Sequence, residues 1–590
     1  MIVSVAALPA SPADCECDVL VVGSGAGGLS AAVASAKRGM RTIVAEKASH
    51  FGGTTAWAGG WIWVPCNPIA EAAGVPDSPE QARLYLSQRL ESQYEPELVD
   101  AYIEAGPRMV AEYMRDTDVQ FESGGFIFPD YFPETPGALP GGGRSRSLRP
   151  VAFDGRQLCA ATLRKLQPML PQLTLGGGML LGSLVEMRHF INAARSLQSA
   201  IFVARKSARY ALDRLLHGRD MSLVNGLALV ARHASTLDRL GVPIWVNAPA
   251  TQLVSEGGRV TGAWIEHNGT QVQVRARRGV VLACGGFPND EARKRRYYSH
   301  VAAGGSHYAV APPSCTGDGL NLGEAAGGGV VEGRPWNCLF MPVSRLPDAK
   351  TRPAAFPHIW DRSKPGFIAV TPRGERFVNE ATSYMQFGQA MVRAAQGGSD
   401  VRAWLLCDAQ AIRHFGLGIV RPMLPLRQHL RSGYLRRGDT IEELARAIGV
   451  PPQTLAQTVT EYNADASRGI DRRFAKGEDA FSRFQGDPTV HPNPTMAPLK
   501  KGPFYAVEIF CGDFGTFTGL RANAHAQVLK VGGDEPIPGL YAAGNDMAIM
   551  MGSHSVGGGI TIGPAMVFGY IAGCHLAAQV DQAVAPAAAA

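Results

Sequence analysis

The chain has 590 residues, which is too long for a single hydrophobic core and predicts two or more domains. Its 57 basic and 51 acidic residues leave a net charge of only +6, and no long basic run indicates a nucleic-acid partner. No stretch of about 18 uninterrupted apolar residues predicts a membrane-spanning helix. The ten cysteines are scattered without a metal-binding spacing, so we predict reduced thiols, no metal site and a cytoplasmic location.

Residues 17–60 begin with the pattern of a strand, a glycine turn and a helix. The apolar run 19–22 stops at Gly23-Ser24-Gly25-Ala26-Gly27-Gly28, and a helix of small residues follows. Glycines at this spacing let a pyrophosphate approach bare backbone N–H groups at a helix N-terminus, where the dipole favours negative charge. A second strand, 41–45, ends at Glu46, whose carboxylate can accept the hydroxyls of an adenosine ribose. These parts, in this order, predict a dinucleotide-binding domain.

A second glycine-rich turn distinguishes between the dinucleotides. The run Phe51-Gly52-Gly53-Thr54-Thr55-Ala56-Trp57-Ala58-Gly59-Gly60 follows directly after the ribose acid. An NAD domain has no need of such a turn, whereas the isoalloxazine ring of a flavin must lie against backbone. Hydroxyls such as those of Thr54 and Thr55 can meet the phosphates or the ribityl chain. We therefore predict FAD as the cofactor.

Two later segments are predicted to return to the same domain. The buried strand at 279–283 ends in glycines, and Ser314-Cys315-Thr316-Gly317-Asp318-Gly319 opens a small-residue helix. A strand at 538–543 ends at Gly544-Asn545, and Gly557-Gly558-Gly559-Ile560 precedes the last helix, whose N-terminus would stabilise charge on a reduced flavin. The predicted cofactor-binding residues are Gly23, Ser24, Gly25, Ala26, Gly27, Glu46, Lys47, Gly53, Thr54, Thr55, Gly59, Gly60, Ala283, Gly285, Asp318, Gly544, Asn545, Gly559 and Ile560.

The domain organisation follows from a change in composition. Residues 333–500 are richer in aromatics and prolines and lack a glycine fingerprint, which indicates an inserted domain. The predicted fold class is α/β, with a Rossmann-like FAD-binding domain over 1–332 and 501–590 and an inserted α+β domain over 333–500. Within the first domain, residues 155–220 alternate apolar and basic residues and predict a helical insertion. That insertion is either a solvated amphipathic segment or a point of peripheral contact with a membrane.

Taken together, these motifs resemble the succinate dehydrogenase/fumarate reductase flavoprotein superfamily, and within it the 3-ketosteroid dehydrogenases. The resemblance covers nearly the whole chain outside 155–220. It implies that FAD is bound without a covalent link and that the inserted domain is a catalytic (cap) domain that closes over the substrate. The motifs that carry it are Val21-Val22-Gly23-Ser24-Gly25-Ala26-Gly27-Gly28, Glu46-Lys47, Gly52-Gly53-Thr54-Thr55, Arg376-Phe377-Val378-Asn379-Glu380, Gly512-Asp513-Phe514-Gly515-Thr516, Gly539-Leu540-Tyr541-Ala542-Ala543-Gly544-Asn545 and Thr561-Ile562-Gly563-Pro564-Ala565-Met566.

The resemblance also implies a catalytic base. The ketosteroid enzymes remove a proton from the carbon α to a ketone and pass a hydride from the β carbon to flavin N5. Their proton-abstracting tyrosine follows the Arg-Phe-x-Asn-Glu motif, which places this role on Tyr384. Fumarate reductases have an arginine in that loop, and this chain has none between 380 and 391. The aromatic wall that the family places opposite would be Tyr131 or Phe132.

One motif departs from the family. Ketosteroid 1-dehydrogenases carry a tyrosine followed by Pro-Gly-Pro-Gly, and the tyrosine and the last glycine N–H polarise the substrate carbonyl. The run here is Ser555-Val556-Gly557-Gly558-Gly559. The N–H of Gly559 can still donate, and the second donor is predicted to be Ser555 or the neighbouring His554. The substrate-binding arginine of the fumarate reductases is absent from this place as well.

We therefore predict an FAD-dependent dehydrogenase that introduces an α,β double bond next to the carbonyl of a cyclic ketone. The ketone is a 3-ketosteroid or a smaller ring such as cyclohexanone, and the electron acceptor is unidentified. One alternative is a fumarate reductase-like or enone reductase, although the missing arginines disfavour a dicarboxylate and no haem or iron–sulfur pattern supplies electrons. The other alternative is a flavoprotein subunit without turnover of its own.

Overall fold

The computed structural model describes residues 15–124, 129–141, 145–175, 177–182, 186, 189–190, 193, 196–267, 269–347 and 354–579. The predicted insertion at 155–220 therefore lies partly outside the described residues. The strands, in chain order, are β1 (Glu16–Val22), β2 (Thr42–Ala45), β3 (Ile62–Trp63), β4 (Phe121–Ser123), β5 (Ser147–Pro150), β6 (Phe153–Asp154), β7 (Ser222–Leu223), β8 (Ile244–Trp245), β9 (Ala250–Glu256), β10 (Arg259–His267), β11 (Thr270–Leu282), β12 (Tyr308–Ala309), β13 (Cys338–Arg345), β14 (Ala355–Pro357), β15 (Phe367–Val370), β16 (Arg402–Cys407), β17 (Arg436–Gly438), β18 (Phe504–Thr516), β19 (Gln527–Leu529) and β20 (Pro536–Ala542).

The helices lie between and around these strands. They are α1 (Ala26–Lys37), α2 (Pro68–Ala72), α3 (Pro79–Leu90), α4 (Pro96–Asp116), α5 (Ala160–Lys165), α6 (Leu197–His217), α7 (Asn225–Arg239), α8 (Glu291–Tyr297), α9 (Ser299–Ala302), α10 (Asp318–Ala325), α11 (Tyr384–Ala394), α12 (Ala409–Phe415), α13 (Arg427–Arg431), α14 (Ile441–Ile448), α15 (Pro452–Arg468), α16 (Ala480–Gln485) and α17 (Ile562–Ala578). None of these helices has the length and apolar composition needed to cross a membrane.

The first sheet is built on parallel strands. Its main path runs β19-β20-β11-β1-β2-β8, and β9 and β10 extend from β11 as an antiparallel ribbon. Neighbouring strands from β20 to β8 are parallel, so their carboxyl ends share one edge of the sheet, where ligands bind in open α/β folds. Helices α1 and α17 are tied together by a hydrogen bond of 2.7 Å from Ser30 Oγ to Met566 O. The Rossmann-like fold predicted from the glycine turns is confirmed.

The second sheet is mixed and belongs to the inserted region. Its main path is β14-β13-β18-β16-β15, with β12 and β17 also paired to β18. A separate hydrophobic cluster forms where β15 and β16 pack against α14 and α15. Strands β12 and β18 lie in the ranges predicted for the FAD-binding domain, yet they pair within this second sheet. The exact domain boundaries remain a prediction.

Apolar residues at helical spacing over 79–117 predict helical structure, and the structure has two helices in this range, α3 and α4. Helix α3 ends because Glu91 has a positive φ of 50°, a conformation that an α-helix does not contain. Pro96 then starts α4, since proline is favoured in the first turn.

Candidate active site

A cavity of about 790 Å³ opens at the carboxyl edge of the first sheet and reaches the second sheet. Its first part is lined by the glycine turns and its second part by side chains of the inserted region. The lining residues that carry the argument below are Gly23, Ser24, Gly25, Ala26, Gly27, Glu46, Lys47, Gly53, Thr54, Thr55, Gly59, Gly60, Trp61, Tyr131, Arg149, Ala283, Gly285, Asp318, Leu339, Ile359, Trp360, Tyr384, Phe481, Phe484, Phe514, Gly544, Asn545, Gly558, Gly559, Thr561 and Ile562. The cavity thus joins every predicted cofactor residue except Ile560, which is buried beside it.

The first glycine turn leads from β1 into α1 against the cavity. Gly23 has a φ of +104°, and a Cβ atom on it would lie 2.1 Å from the carbonyl oxygen of Ala283. Any other residue would therefore push β1 away from β11. A Cβ atom on Gly25 would lie 3.8 Å from Thr55 Oγ1, which accepts a hydrogen bond of 3.0 Å from Ala26 N. The two glycine turns are thereby joined at the N-terminus of α1, the position suited to a phosphate.

The acid at the end of β2 is held rigidly. Glu46 Oε2 accepts hydrogen bonds from Ser24 N at 3.1 Å and Ser24 Oγ at 2.5 Å, and Oε1 accepts one from Ala48 N at 2.8 Å. Burial raises the pKa of the Glu46 carboxyl, while the hydrogen bonds to Ser24 and Ala48 act against this. Its neighbour Lys47 is paired with Asp318 Oδ2 at 2.8 Å. Glu46 is thus placed for a ribose hydroxyl, and Lys47 and Asp318 form an ion pair at the cavity wall.

The ends of β11 and β20 are joined by an acid that the sequence analysis missed. Asp546 Oδ1 accepts a hydrogen bond of 2.9 Å from Gly286 N, and Oδ2 accepts one of 2.5 Å from Cys284 N. Burial raises the pKa of Asp546 to about 6. This carboxyl holds Ala283 and Gly285 beside Gly544, so the four strand ends form one continuous cradle. The sequence signal that could have identified Asp546 is its position directly after Gly544-Asn545.

These features fit FAD. The cradle offers N–H groups at the N-termini of α1 and α17, a ribose acid and glycines without side chains on the cavity side. Gly25, Ala26 and Thr55 would hold the pyrophosphate, Glu46 the ribose, and Thr561 and Ile562 the flavin end.

Tyr384 is the first residue of α11 and lines the cavity. Its helix begins with a capping box in which Ser383 Oγ accepts a hydrogen bond of 3.2 Å from Gln386 N. The preceding motif is fixed by buried ions: Arg376 donates two hydrogen bonds of 2.8 Å to Glu380, and Lys476 lies 3.2 Å from the same carboxylate. The Arg-Phe-x-Asn-Glu motif therefore holds the backbone that presents Tyr384.

Of the two residues predicted as the aromatic wall, Tyr131 lines the cavity and Phe132 does not. The rings of Tyr131 and Tyr384 meet edge to face with centroids 6.4 Å apart, and Tyr131 packs on Phe481 at 4.4 Å. Phe132 instead lies under the guanidinium of Arg89 and does not line the cavity. Burial raises the pKa of Tyr384, and its hydrogen bond with Tyr131 lowers it. The two phenols therefore form an interacting pair in one wall of the cavity.

The loop before α17 brings glycine backbone to the cavity. Gly558 and Gly559 line it, and Gly559 has a φ of +106°. The carbonyl oxygen of Gly559 accepts hydrogen bonds from Trp63 N and Gly563 N at 3.3 and 2.9 Å, whereas its N–H donates to no group among the described residues. That N–H is therefore available to a ligand.

Ser555 and His554 do not join the cavity lining. Ser555 is buried and its Oγ has no hydrogen-bond partner among the described residues, while His554 faces Gln93 at 3.4 Å. The reason lies in the loop path: the carbonyl of Val556 accepts hydrogen bonds from Tyr85 and Tyr131, which turns the residues before it away from the cavity. The structure gives no support for either side chain as the second donor.

Three buried residues outside the cavity have the side chains of metal ligands. The ligating atoms of His307, Cys338 and Asp513 all lie within 4.8 Å of one another. His307 Nε2 and Asp513 Oδ2 are already joined by a hydrogen bond of 2.6 Å. We assign no metal to them.

Comparison with known proteins finds a matching family and similar enzymes. The model of the FAD binding domain family matches residues 18–562. A 4-oxocyclohex-2-ene-1-carboxylate 5-dehydrogenase of Sinomonas cyclohexanicum is 36% identical over 95% of this chain and 94% of its own. A 3-oxosteroid 1-dehydrogenase of Mycobacterium tuberculosis (strain ATCC 25618 / H37Rv) is 34% identical over 96% of this chain and 99% of its own. The crystal structure of 3-ketosteroid delta1-dehydrogenase from Sterolibacterium denitrificans, in complex with 1,4-androstadiene-3,17-dione, has a TM-score of 0.86 and 34% identity over 95% of this chain and 99% of that one.

The fold and the cavity define a flavoprotein of the dehydrogenase type. The chain belongs to the FAD-binding family that includes the 3-oxosteroid 1-dehydrogenases. The predictions of this family, of FAD as cofactor and of an FAD-dependent dehydrogenase are confirmed. The roles of individual residues remain predictions.

Proposed function

We propose that this protein desaturates a cyclic ketone between the carbons α and β to its carbonyl. The observation that carries the proposal is the Tyr384–Tyr131 pair in the same cavity as the unused N–H of Gly559. Tyr384 accepts the proton from the α carbon, and Gly559 donates a hydrogen bond to the carbonyl oxygen, where negative charge develops. FAD, when bound, supplies the acceptor for the hydride that leaves the β carbon.

The lining supports an uncharged ring system. Apolar side chains form the wall around Tyr384; they are Leu339, Ile359, Trp360, Phe481, Phe484 and Phe514. Two basic side chains also line the cavity, and each already has an acidic partner: Lys47 pairs with Asp318, and Arg149 lies 3.0 Å from Glu122. A dicarboxylate would need arginines free to bind it. The cavity therefore favours a ketone over a fumarate-like substrate.

Two size classes of ketone fit this proposal, and turnover separates them. FAD-loaded protein with an artificial electron acceptor is assayed separately with androstenedione, cyclohexanone, 4-oxocyclohexanecarboxylate and succinate. We expect one of the three ketones to yield a product lighter by two hydrogen atoms, with the new double bond next to the carbonyl. Product from succinate alone would contradict the proposal, and the size class of the active ketone identifies the substrate.

We also propose that α6 contacts an anionic lipid surface, where a membrane-bound electron acceptor would be within reach. Leucines along one face of this helix are exposed: Leu197 by 78%, Leu215 by 82% and Leu216 by 64%. The exposed Arg205 and Arg209 lie on the same helix, and a basic, leucine-rich helix binds in the plane of an interface.

Vesicle sedimentation tests this contact. We expect binding to phosphatidylglycerol vesicles, weaker binding to phosphatidylcholine, and loss of binding in the double variant Leu215→Gln/Leu216→Gln. Val531→Gln is the matched control, since Val531 is 75% exposed on a different part of the surface. Equal sedimentation of all three proteins would contradict the contact.

A further inference from the structure

A buried arginine lies behind the wall that carries Tyr384. Arg362 is 1% exposed, and it follows Trp360 and Asp361 without lining the cavity itself. Its Nε donates a hydrogen bond of 3.1 Å to His358 O, and Nη1 donates to the carbonyl oxygen of Glu380, four residues before Tyr384. The guanidinium is thus fixed against the loop that presents the proposed base.

Among the described residues Arg362 forms no direct ion pair: burial lowers the pKa of its guanidinium, and the charge of Asp361 acts against this from beyond 4.0 Å. In the part of the chain that the structure describes, no carboxylate oxygen lies within 4.0 Å of its nitrogens, and Nη2 has no hydrogen-bond partner. The two nearby acids are already engaged: Asp361 pairs with His358 at 2.7 Å, and Glu380 pairs with Arg376 and Lys476. A buried cation without a counter-charge is strongly unfavourable.

A phenolate at Tyr384 would place a negative charge near this guanidinium. Ionised Tyr384 would be an anion in the same buried region, and the positive charge of Arg362 lowers the pKa of both Tyr384 and Tyr131. Burial is the largest influence and raises the pKa of both phenols. The hydrogen bond between them lowers the pKa of Tyr384 and raises that of Tyr131, and Tyr85 also raises that of Tyr131. A tyrosine base must lose its own proton before it can accept one from substrate.

We propose that Arg362 is a positioning residue that stabilises the phenolate of Tyr384 and so prepares it to accept the substrate's α proton. This inference rests on the proposed function, because it assigns Tyr384 the role of base. When the proton arrives, Tyr384 becomes neutral and the guanidinium keeps its charge. The residue acts through Tyr384 and does not touch the substrate.

The test is the ionisation of Tyr384, which requires no turnover. Tyrosinate absorbance is followed against pH in the FAD-loaded protein and in its Tyr384→Phe variant, and the difference between the two curves reports Tyr384. The same pair is then compared in an Arg362→Gln background, which keeps amide donors for the two carbonyls, and in an Arg362→Met background. We expect the Tyr384 midpoint to rise by about one pH unit or more when the charge is removed.

Arg334 provides the matched control. It is also a buried arginine whose hydrogen bonds go to carbonyl oxygens, those of Phe517, Ile549 and Gly552. Arg334→Met should leave the Tyr384 midpoint unchanged even if it lowers the melting temperature. An unchanged midpoint in folded Arg362→Gln or Arg362→Met protein would overturn the proposal, as would an equal rise in Arg334→Met.

If neither Arg362→Gln nor Arg362→Met folds, the proposal is tested in protein that retains Arg362. Tyr102 is fully buried, and burial alone raises its pKa. The difference curve for Tyr384 should then have a lower midpoint than the corresponding curve for Tyr102, obtained with Tyr102→Phe. Ionisation of the two tyrosines together would overturn the proposal. Failure of ketone turnover with a shifted Tyr384 midpoint would instead count against the proposed function alone.

Discussion

Replacing Tyr384 with phenylalanine is expected to reduce ketone turnover by about 10²- to 10⁴-fold, the range over which a positioned acid or base contributes. The variant removes one oxygen atom at the start of α11 and leaves the ring in place. The capping box of Ser383 and Gln386 and the ion pairs of Arg376 do not involve that oxygen. The protein should therefore remain folded, with yellow FAD bound and a melting temperature close to that of the wild type.

Tyr505→Phe is the control for this variant. Tyr505 lies on β18 of the second sheet. It is buried and does not line the cavity. We expect its turnover to match the wild type. Wild-type turnover in Tyr384→Phe would remove Tyr384 from the reaction, and loss of bound FAD in that variant would mean that its effect is structural.

Gly559→Ala is the second variant for which we expect a large loss of turnover. Gly559 has a φ of +106°, and an added Cβ atom would lie 2.6 Å from the backbone of Ile62. The left-handed conformation alone costs about 1–2 kcal/mol for alanine, and the contact forces the loop to move. Because that loop carries the N–H proposed to bind the substrate oxygen, kcat should fall by about 10²- to 10³-fold, as for loss of one oxyanion donor.

Gly327→Ala separates the conformational cost from the loss of the donor. Gly327 has a φ of +89°, and a Cβ atom there would meet nothing within 4 Å. We expect it to lower the free energy of unfolding by a similar conformational term while kcat stays unchanged. A kcat for Gly559→Ala that equals the kcat for Gly327→Ala would contradict the role of Gly559.

The cofactor-binding half of the site could be predicted from sequence because its residues lie close together in the chain. Gly23 to Gly27 and Glu46 are close in the chain, and their spacing alone defines a strand, a turn and a ribose acid. The structure places them in one cavity. Asp546 shows the limit of this approach, since its hydrogen bonds to Cys284 and Gly286 join segments far apart in sequence.

The substrate half was predicted less completely because it depends on loop paths and long-range packing. Tyr384 could be located from the motif before it, but Ser555 and His554 could not be excluded, since the turning of their loop depends on Tyr85 and Tyr131 meeting Val556. Arg362 carries no sequence signal at all. Its burial, and the engagement of Asp361 with His358 and of Glu380 with Arg376, arise only in the folded chain.

The most direct test of the account is an anaerobic mixture of the FAD-loaded protein with each ketone in the absence of any electron acceptor. If the protein desaturates a cyclic ketone, the visible absorbance of oxidised FAD should fall with one of the ketones, and one unsaturated ketone should form per FAD. In Tyr384→Phe the fall should be slower by about 10²- to 10⁴-fold. Bleaching by succinate alone, or by none of the compounds, would contradict the central claim that this cavity removes two hydrogens from a cyclic ketone.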